Sequence, residues 1–287
     1  MFFNKIGQSF EFAKASYRTL LQNPHLLIYP FLTGVVSILV SASFFFPLEM
    51  LGKFDSWRAM LEAWKDSSFK AGAAPKDISF YITTFSFYFC SYFVIIFFNT
   101  ALMASTMHII DGYRGTIAMG IGFASRRLPS IVSWALVSAI VGVIIRALEK
   151  NGKVSRFVSG IIGAAWTYIA YFAIPVIISQ GKGPFNAISE STRILSETWG
   201  TALVGNFSLG IIHTFTMVPA VILGVVLWLT VGPLIALAVA IPLILFLILL
   251  NSVADSVFKV FLYAFATGET LPAHVDNSAM ELAFESR

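Results

Sequence analysis

The sequence predicts an all-α integral membrane protein with six transmembrane helices and three amphipathic helices at the membrane interface. Three observations predict it. The first is composition: of 287 residues, 57% are hydrophobic and only 12% charged, with a mean hydropathy of +0.80. A soluble domain carries about 25% charged residues. The second is a set of long runs without Asp, Glu, Lys or Arg. The third is an amphipathic pattern that recurs ahead of three of those runs. Composition alone excludes an ordinary soluble domain, a disordered chain and a DNA-binding domain. The pI near 9.2 is not a nucleic-acid signature, because no basic run exceeds Arg126-Arg127. Cys90, the single cysteine, supplies neither a disulfide framework nor a metal cluster.

Unpaired backbone groups are not tolerated in hydrocarbon, so the long apolar runs must be helices. A crossing takes about 20 residues. Thr19 to Leu48 forms the first, with its apolar centre from Leu26 to Phe46. Ile78 to Ile110 is the second, Leu128 to Ile145 the third and Phe157 to Gly181 the fourth. Thr198 to Ala254 is too long for one crossing: as a single helix it would measure about 85 Å. Gly232-Pro233 divides it into a fifth and a sixth span.

The N-terminus lacks the compact apolar core and small-residue cleavage site of a signal peptide. Phe2, Phe3, Ile6, Phe10, Ala13, Tyr17 and Leu20 recur at helical spacing, with Lys5, Glu11, Lys14 and Arg18 in other directions. Such a helix lies in the interface plane. Segments 111–130 and 181–200 share the pattern, and each leads into a span with an Arg near its end: Arg18, Arg127 and Arg193. The chain 1–270 therefore reads as one polytopic domain, in units of about 1–110, 111–180 and 181–270. Each unit is an interfacial helix plus a transmembrane hairpin, a candidate threefold repeat. Any bundle with an even number of helices would also carry amphipathic flanks on one side, so repetition stays one of two readings. A polar insert occupies 49–77, and the acidic tail 271–287 is expected to be mobile. Lys and Arg divide ten to nine between the two sides, which decides no orientation. Lys5, Lys14 and Arg18 ahead of the first span favour both termini in the cytoplasm, in a bacterial inner membrane.

Asn23-Pro24 leading into Tyr29-Pro30-Phe31, then Phe98-Asn99-Thr100-Ala101-Leu102, Asp111-Gly112, Arg127-Leu128-Pro129 and Trp134 carry a resemblance. In that order they resemble a group of uncharacterised bacterial multi-pass membrane proteins, grouped as domains of unknown function. The group is related to the membrane domain of some glycerophosphodiester phosphodiesterases. A weaker similarity is to bacterial sulfate permeases, where a Phe-Asn-Gly-Leu motif follows an apolar helix. Here Phe98-Asn99 is followed by Thr100-Ala101, without the glycine. The first resemblance implies an architecture and no established activity.

Little conventional chemistry is legible. His25, His108, His213 and His274 are not paired at metal-ligand spacing. There is no Walker loop and no dinucleotide fingerprint. Ser208 and His213 on one helix would point about 140° apart and could not form a dyad. The expectation is a protein that is not an enzyme and takes no cofactor. Polar residues inside spans are better clues, because they face protein interior or water. Asn206 and His213 are seven residues apart and share a helix face. With Asn99 they make a candidate intramembrane polar path, or else a set of interhelical hydrogen bonds beside Pro219. Asn251, Asp255 and Lys259 form an i, i+4 ladder where the last helix leaves the bilayer, readable as a structural ion pair or an ion gate. Arg18, Arg127, Lys182 and Arg193 are candidate headgroup contacts. Lys182 sits in Gly181-Lys182-Gly183-Pro184, at a helix start suited to a phosphate. The 28 phenylalanines add aromatic surface for lipid or a partner helix.

The leading function is a channel or transporter for a small solute or ion. The alternative is a lipid-interacting or membrane-organising protein without transport activity. Expected partners are membrane lipids, a small ion or solute and a second copy of the chain, but no nucleic acid.

Overall fold

The computed structural model describes residues 13–56, 58–59, 78–149 and 153–269; within its helices the side chains of 79–81, 146, 147, 149, 153, 154 and 197–208 are outside that description. Most of the insert 49–77, the tail 271–287 and the first amphipathic segment before residue 13 fall outside it. Every regular element among the described residues is a helix, and six stretches are long and apolar enough to cross a membrane. The protein is a polytopic membrane protein with six transmembrane helices.

Helix α1 spans 13–22. It ends because Pro24 disfavours helical backbone at the residue before it. Asn23 has left the helical region at φ −131° and donates its side-chain Nδ2 to the Thr19 carbonyl at 3.0 Å. A 3-10 turn, Pro24–Leu27, then feeds α2, Ile28–Met50. The amphipathic segment and the first span are thus separate helices, divided by a proline. Helix α3 is Ile78–Ile110 and α4 is Ile117–Arg126; α5, Leu128–Glu149, follows across Arg127. Gly120 in α4 lies under the Tyr29 hydroxyl, where a Cβ would come within 2.2 Å of Oη.

The fourth span is broken. The sequence predicts one helix from Phe157 to Gly181, but the chain forms α6, Lys153–Ile169, and α7, Ala173–Gln180. Pro175 supplies the reason: it has no N–H and its ring disfavours a helix continuing from Tyr171. Phe172, at the break, donates its backbone N–H to Ser191 Oγ at 2.9 Å, and both residues are fully buried. Gly181 ends α7 at φ +65°. The indoles of Trp134 and Trp166 stack 5.5 Å apart between α5 and α6. On α3, Phe87 packs against Phe44 and Phe45 of α2 at 5.7 and 5.3 Å between centroids.

Helix α8, Pro184–Thr230, runs 47 residues without interruption. The third amphipathic segment is continuous with the fifth span, Leu209–Thr230. Gly232, at φ 111°, makes the turn into α9, Pro233–Ala266. That 34-residue helix measures about 51 Å. Its first half exposes Leu234, Ile235, Leu237, Val239, Ile241 and Leu245, as a lipid-facing helix does. Its second half buries nearly every residue from Val253 to Ala264.

The described residues make two compact units. One lies within Met1–Phe31, Asn99–Phe123 and Arg193–Arg287, the other within Leu32–Phe98 and Ala124–Thr192. In the first, the core is built by Leu20, Leu26, Tyr29, Ala101 and the second half of α9. In the second it is built by Ile131, Trp134, Ala135, Phe172, Val176 and Ala187.

Two outcomes follow from this arrangement. Ser191→Ala leaves the Phe172 N–H buried without its acceptor, and should lower stability by about 1–3 kcal/mol, read as a lower Tm in detergent. Lys53 follows the first span and Lys182 the fourth, and both are exposed. In a Cys90→Ser background, Lys53→Cys and Lys182→Cys should be labelled from opposite sides of sealed vesicles. Labelling from one side would contradict six crossings.

Candidate functional site

Helices α8 and α9 form an antiparallel hairpin about Gly232, so residues at similar distances from that turn meet. Gly224 and Ala240 do so closely: a Cβ on Gly224 would stand 3.0 Å from the Ala240 Cβ. Small residues let helix backbones approach in membranes. Farther from the turn the facing residues become polar.

Asn251 is the first. It is 6% exposed and is bonded at both ends of its amide. Its Nδ2 lies 3.5 Å from Thr216 Oγ1 on α8. Its Oδ1 accepts the hydroxyl of Tyr17, on α1, at 2.7 Å. Thr216 in turn donates back to the His213 carbonyl at 2.9 Å. One helical turn beyond Asn251 stands Asp255. Its Oδ1 is 3.6 Å from His213 Nε2, with side-chain exposures of 44% for the aspartate and 23% for the histidine. That separation is too long for a hydrogen bond, and Nε2 is buried with no hydrogen-bond partner among the described residues. Lys259, a further turn along, lies within electrostatic reach of Asp255. Ser256 Oγ lies 3.3 Å from Asn99 Oδ1 on α3 and 3.0 Å from the Ser252 carbonyl.

Two groups that the sequence keeps apart are therefore one cluster. Asn99 and His213, read as members of a path, both touch the helix that carries the ladder of Asn251, Asp255 and Lys259. Asn206 is helical within α8, but its side chain lies outside the described residues. The fifth span begins at Leu209, so His213 sits near its end rather than at mid-depth, as the charge-free run suggests. A crossing of about 20 residues from Pro233 ends near Asn251, which puts the cluster at the same membrane boundary.

Sequence reasoning leaves out Tyr17 and Ser256. Tyr17 counts there as one of the apolar residues of the amphipathic face, and its hydroxyl is the signal that could have marked it. Ser256 adjoins Asp255 and is revealed only by the approach of α3.

The four basic residues divide. Arg18, Lys182 and Arg193 are exposed. Arg127 is half-buried and lies against Gly181, donating an Nη2 hydrogen to the Ile178 carbonyl at 3.4 Å. It occupies the C-terminal end of α7, where a cation meets the negative pole of the helix.

Burial, and to a lesser degree the negative charge of Asp255, push the Tyr17 phenol up to about 12 from its ordinary 10.0. Tyr17 is thus a hydrogen-bond donor at every physiological pH.

The arrangement can hold a small cation or a proton among oxygen and imidazole groups, or it can serve to tie four helices together. Comparison with known proteins settles the kinship. The chain belongs to a family of unknown function, DUF6159. The family match covers residues 78–271, which takes in five of the six spans and, of the cluster, everything except Tyr17. No curated protein matches the chain.

The raised Tyr17 phenol carries a sign. A phenol freed from the docked state ionises near pH 10, whereas the docked one holds its proton to about 12. Docking is therefore at full strength below pH 10 and weakens as pH climbs from 10 to 12. A fluorophore on α1 should report that alkaline undocking. Tyr17→Phe should remove the pH step and cost about 1 kcal/mol at neutral pH. An unchanged alkaline transition in Tyr17→Phe would place its origin elsewhere.

Proposed function

We propose that the protein is a channel or carrier for a small ion or solute, and that the cluster on α9 belongs to its path. The supporting observation is convergence. Ionisable His213, Asp255 and Lys259 come together with the amides of Asn99 and Asn251, from three helices, at the boundary of the last two spans. Ionisable side chains inside spans are costly and usually mark ion or substrate routes. In this reading Asn206, one face-repeat from His213, continues the route along α8. The protein acts without a cofactor and without a catalytic step. It resides in a bacterial inner membrane with both termini cytoplasmic, among lipids and with a second copy of the chain. The likenesses to phosphodiesterase membrane domains and to sulfate permeases add nothing to it, since the family match names no activity.

A lipid-organising role is the second reading. It draws on Arg18, Lys182 and Arg193, exposed on segments that lead into spans and suited to phosphate headgroups.

Liposome reconstitution separates the two. Purified protein is challenged with gradients of monovalent cations, small anions and small organic solutes, each with and without a pH gradient. Transport predicts flux above empty liposomes for one class, reduced about tenfold or more by Asp255→Asn, the equivalent of one hydrogen bond to a charged group. Folded yield should persist. A folded protein that passes nothing yet slows lipid diffusion would overturn transport in favour of the second reading.

A further inference from the structure

Asp255 has two cationic neighbours on different helices. His213 reaches it across the hairpin at 3.6 Å. Lys259 lies four residues along α9, on the same face. The charges of both act on the carboxylate. The histidine ring is close without being engaged. Its Nε2 is closed to solvent and makes no hydrogen bond among the described residues, whereas an imidazolium bonded to a carboxylate closes to about 2.7–2.9 Å.

One carboxylate balances one cation, and an excess charge away from water is costly. With a neutral His213 ring, Asp255 and Lys259 balance each other. With a proton on Nε2, two cations share one anion, and one of them must reach water. His213 has a short side chain on a helix that packs against α9. Lys259 has a four-carbon stem near the membrane boundary and can move its ammonium outward. The other groups around Asp255 do not compete for the proton: α1 offers Tyr17, which stays a phenol, α8 offers Thr216, and α3 offers Asn99 beside Ser256.

We infer that His213 and Asp255 form a proton-binding site in which Asp255 changes partner. Uptake of one proton at His213 Nε2 draws the carboxylate onto the imidazolium and releases Lys259 toward headgroup water. Loss of the proton reverses the exchange. The proton comes from water and returns to it, and only the N–H bond is made or broken. The exchange stands whether or not the chain carries a solute. If it does, each proton bound moves one ammonium at the boundary of the route.

The test uses the full chain in lipid nanodiscs, with 15N in histidine rings and lysine side chains. His213 and Lys259 signals are assigned by their loss in His213→Gln and Lys259→Met. Spectra are compared between about pH 8 and about pH 5, the range in which histidine changes charge. The wild type should show His213 becoming doubly protonated and the Lys259 Nζ signal moving with the same midpoint. In His213→Gln, the Lys259 signal should lose that movement. Asp255→Asn should uncouple the two signals. If His213→Gln fails to fold, His213→Asn serves the same arm, and the wild-type co-titration needs no variant. A His213 ring still neutral near pH 5 overturns the proposal. So does a Lys259 signal that stays still while the ring protonates, or one that moves as far without the ring.

Discussion

The amide of Asn251 joins three helices far apart in sequence. Its oxygen accepts from Tyr17 before the first span, and its nitrogen faces Thr216 in the fifth. The constraint behind this is general: a buried amide without partners costs several hydrogen bonds' worth of desolvation. Asn251 is 6% exposed, so α1 and α8 must both be in place to satisfy it. The packing of the second half of α9 depends on the same condition. That half buries its apolar residues on every side, including Val253, Val257, Phe258, Phe261 and Leu262. Polar groups in such a setting select one arrangement, because any slip along the helix leaves an amide or carboxylate unpaired.

The same rule shapes the other compact unit through the backbone. Breaking the fourth span at 170–172 releases backbone groups that a continuous helix would have used internally. Ser191 takes up the N–H of Phe172. At the far end of α7, Arg127 lies on Gly181 and bonds the Ile178 carbonyl. Irregular backbone at membrane depth is tolerated where protein covers it, and Phe172, Ala173 and Val176 are fully buried. A short half-helix is thereby fixed at both ends by side chains from other segments.

Helix length links these features to the membrane. α8 and α9 both exceed what the hydrocarbon needs, and each changes character along its length. Between the Gly232 turn and His213 on one side, or Asn251 on the other, the outward residues are large and apolar. Beyond those points the polar cluster begins. A bilayer of ordinary thickness ends at about that level, so charged groups that would be prohibitive at its centre sit where water and headgroups are near.

Composition and charge-free runs were enough to establish an all-helical membrane protein, the count of six spans and the turn at Gly232-Pro233, because hydrocarbon admits few alternatives. The polar residues of the last helix were legible for the same reason: an Asn, an Asp and a Lys on one face of an apolar helix stand out. Their partners were not. Tyr17 is separated from Asn251 by 234 residues and Asn99 from Ser256 by 157, and helical periodicity carries no information across such distances. The break near Phe172 also escaped the sequence, because hydropathy registers Pro175 as one residue in an apolar run, while the backbone registers a missing donor. Which helices are long and apolar follows from local chemistry. Which polar side chains meet is decided by tertiary packing, because a hydrogen bond depends on where two atoms lie, and only the folded chain brings them together.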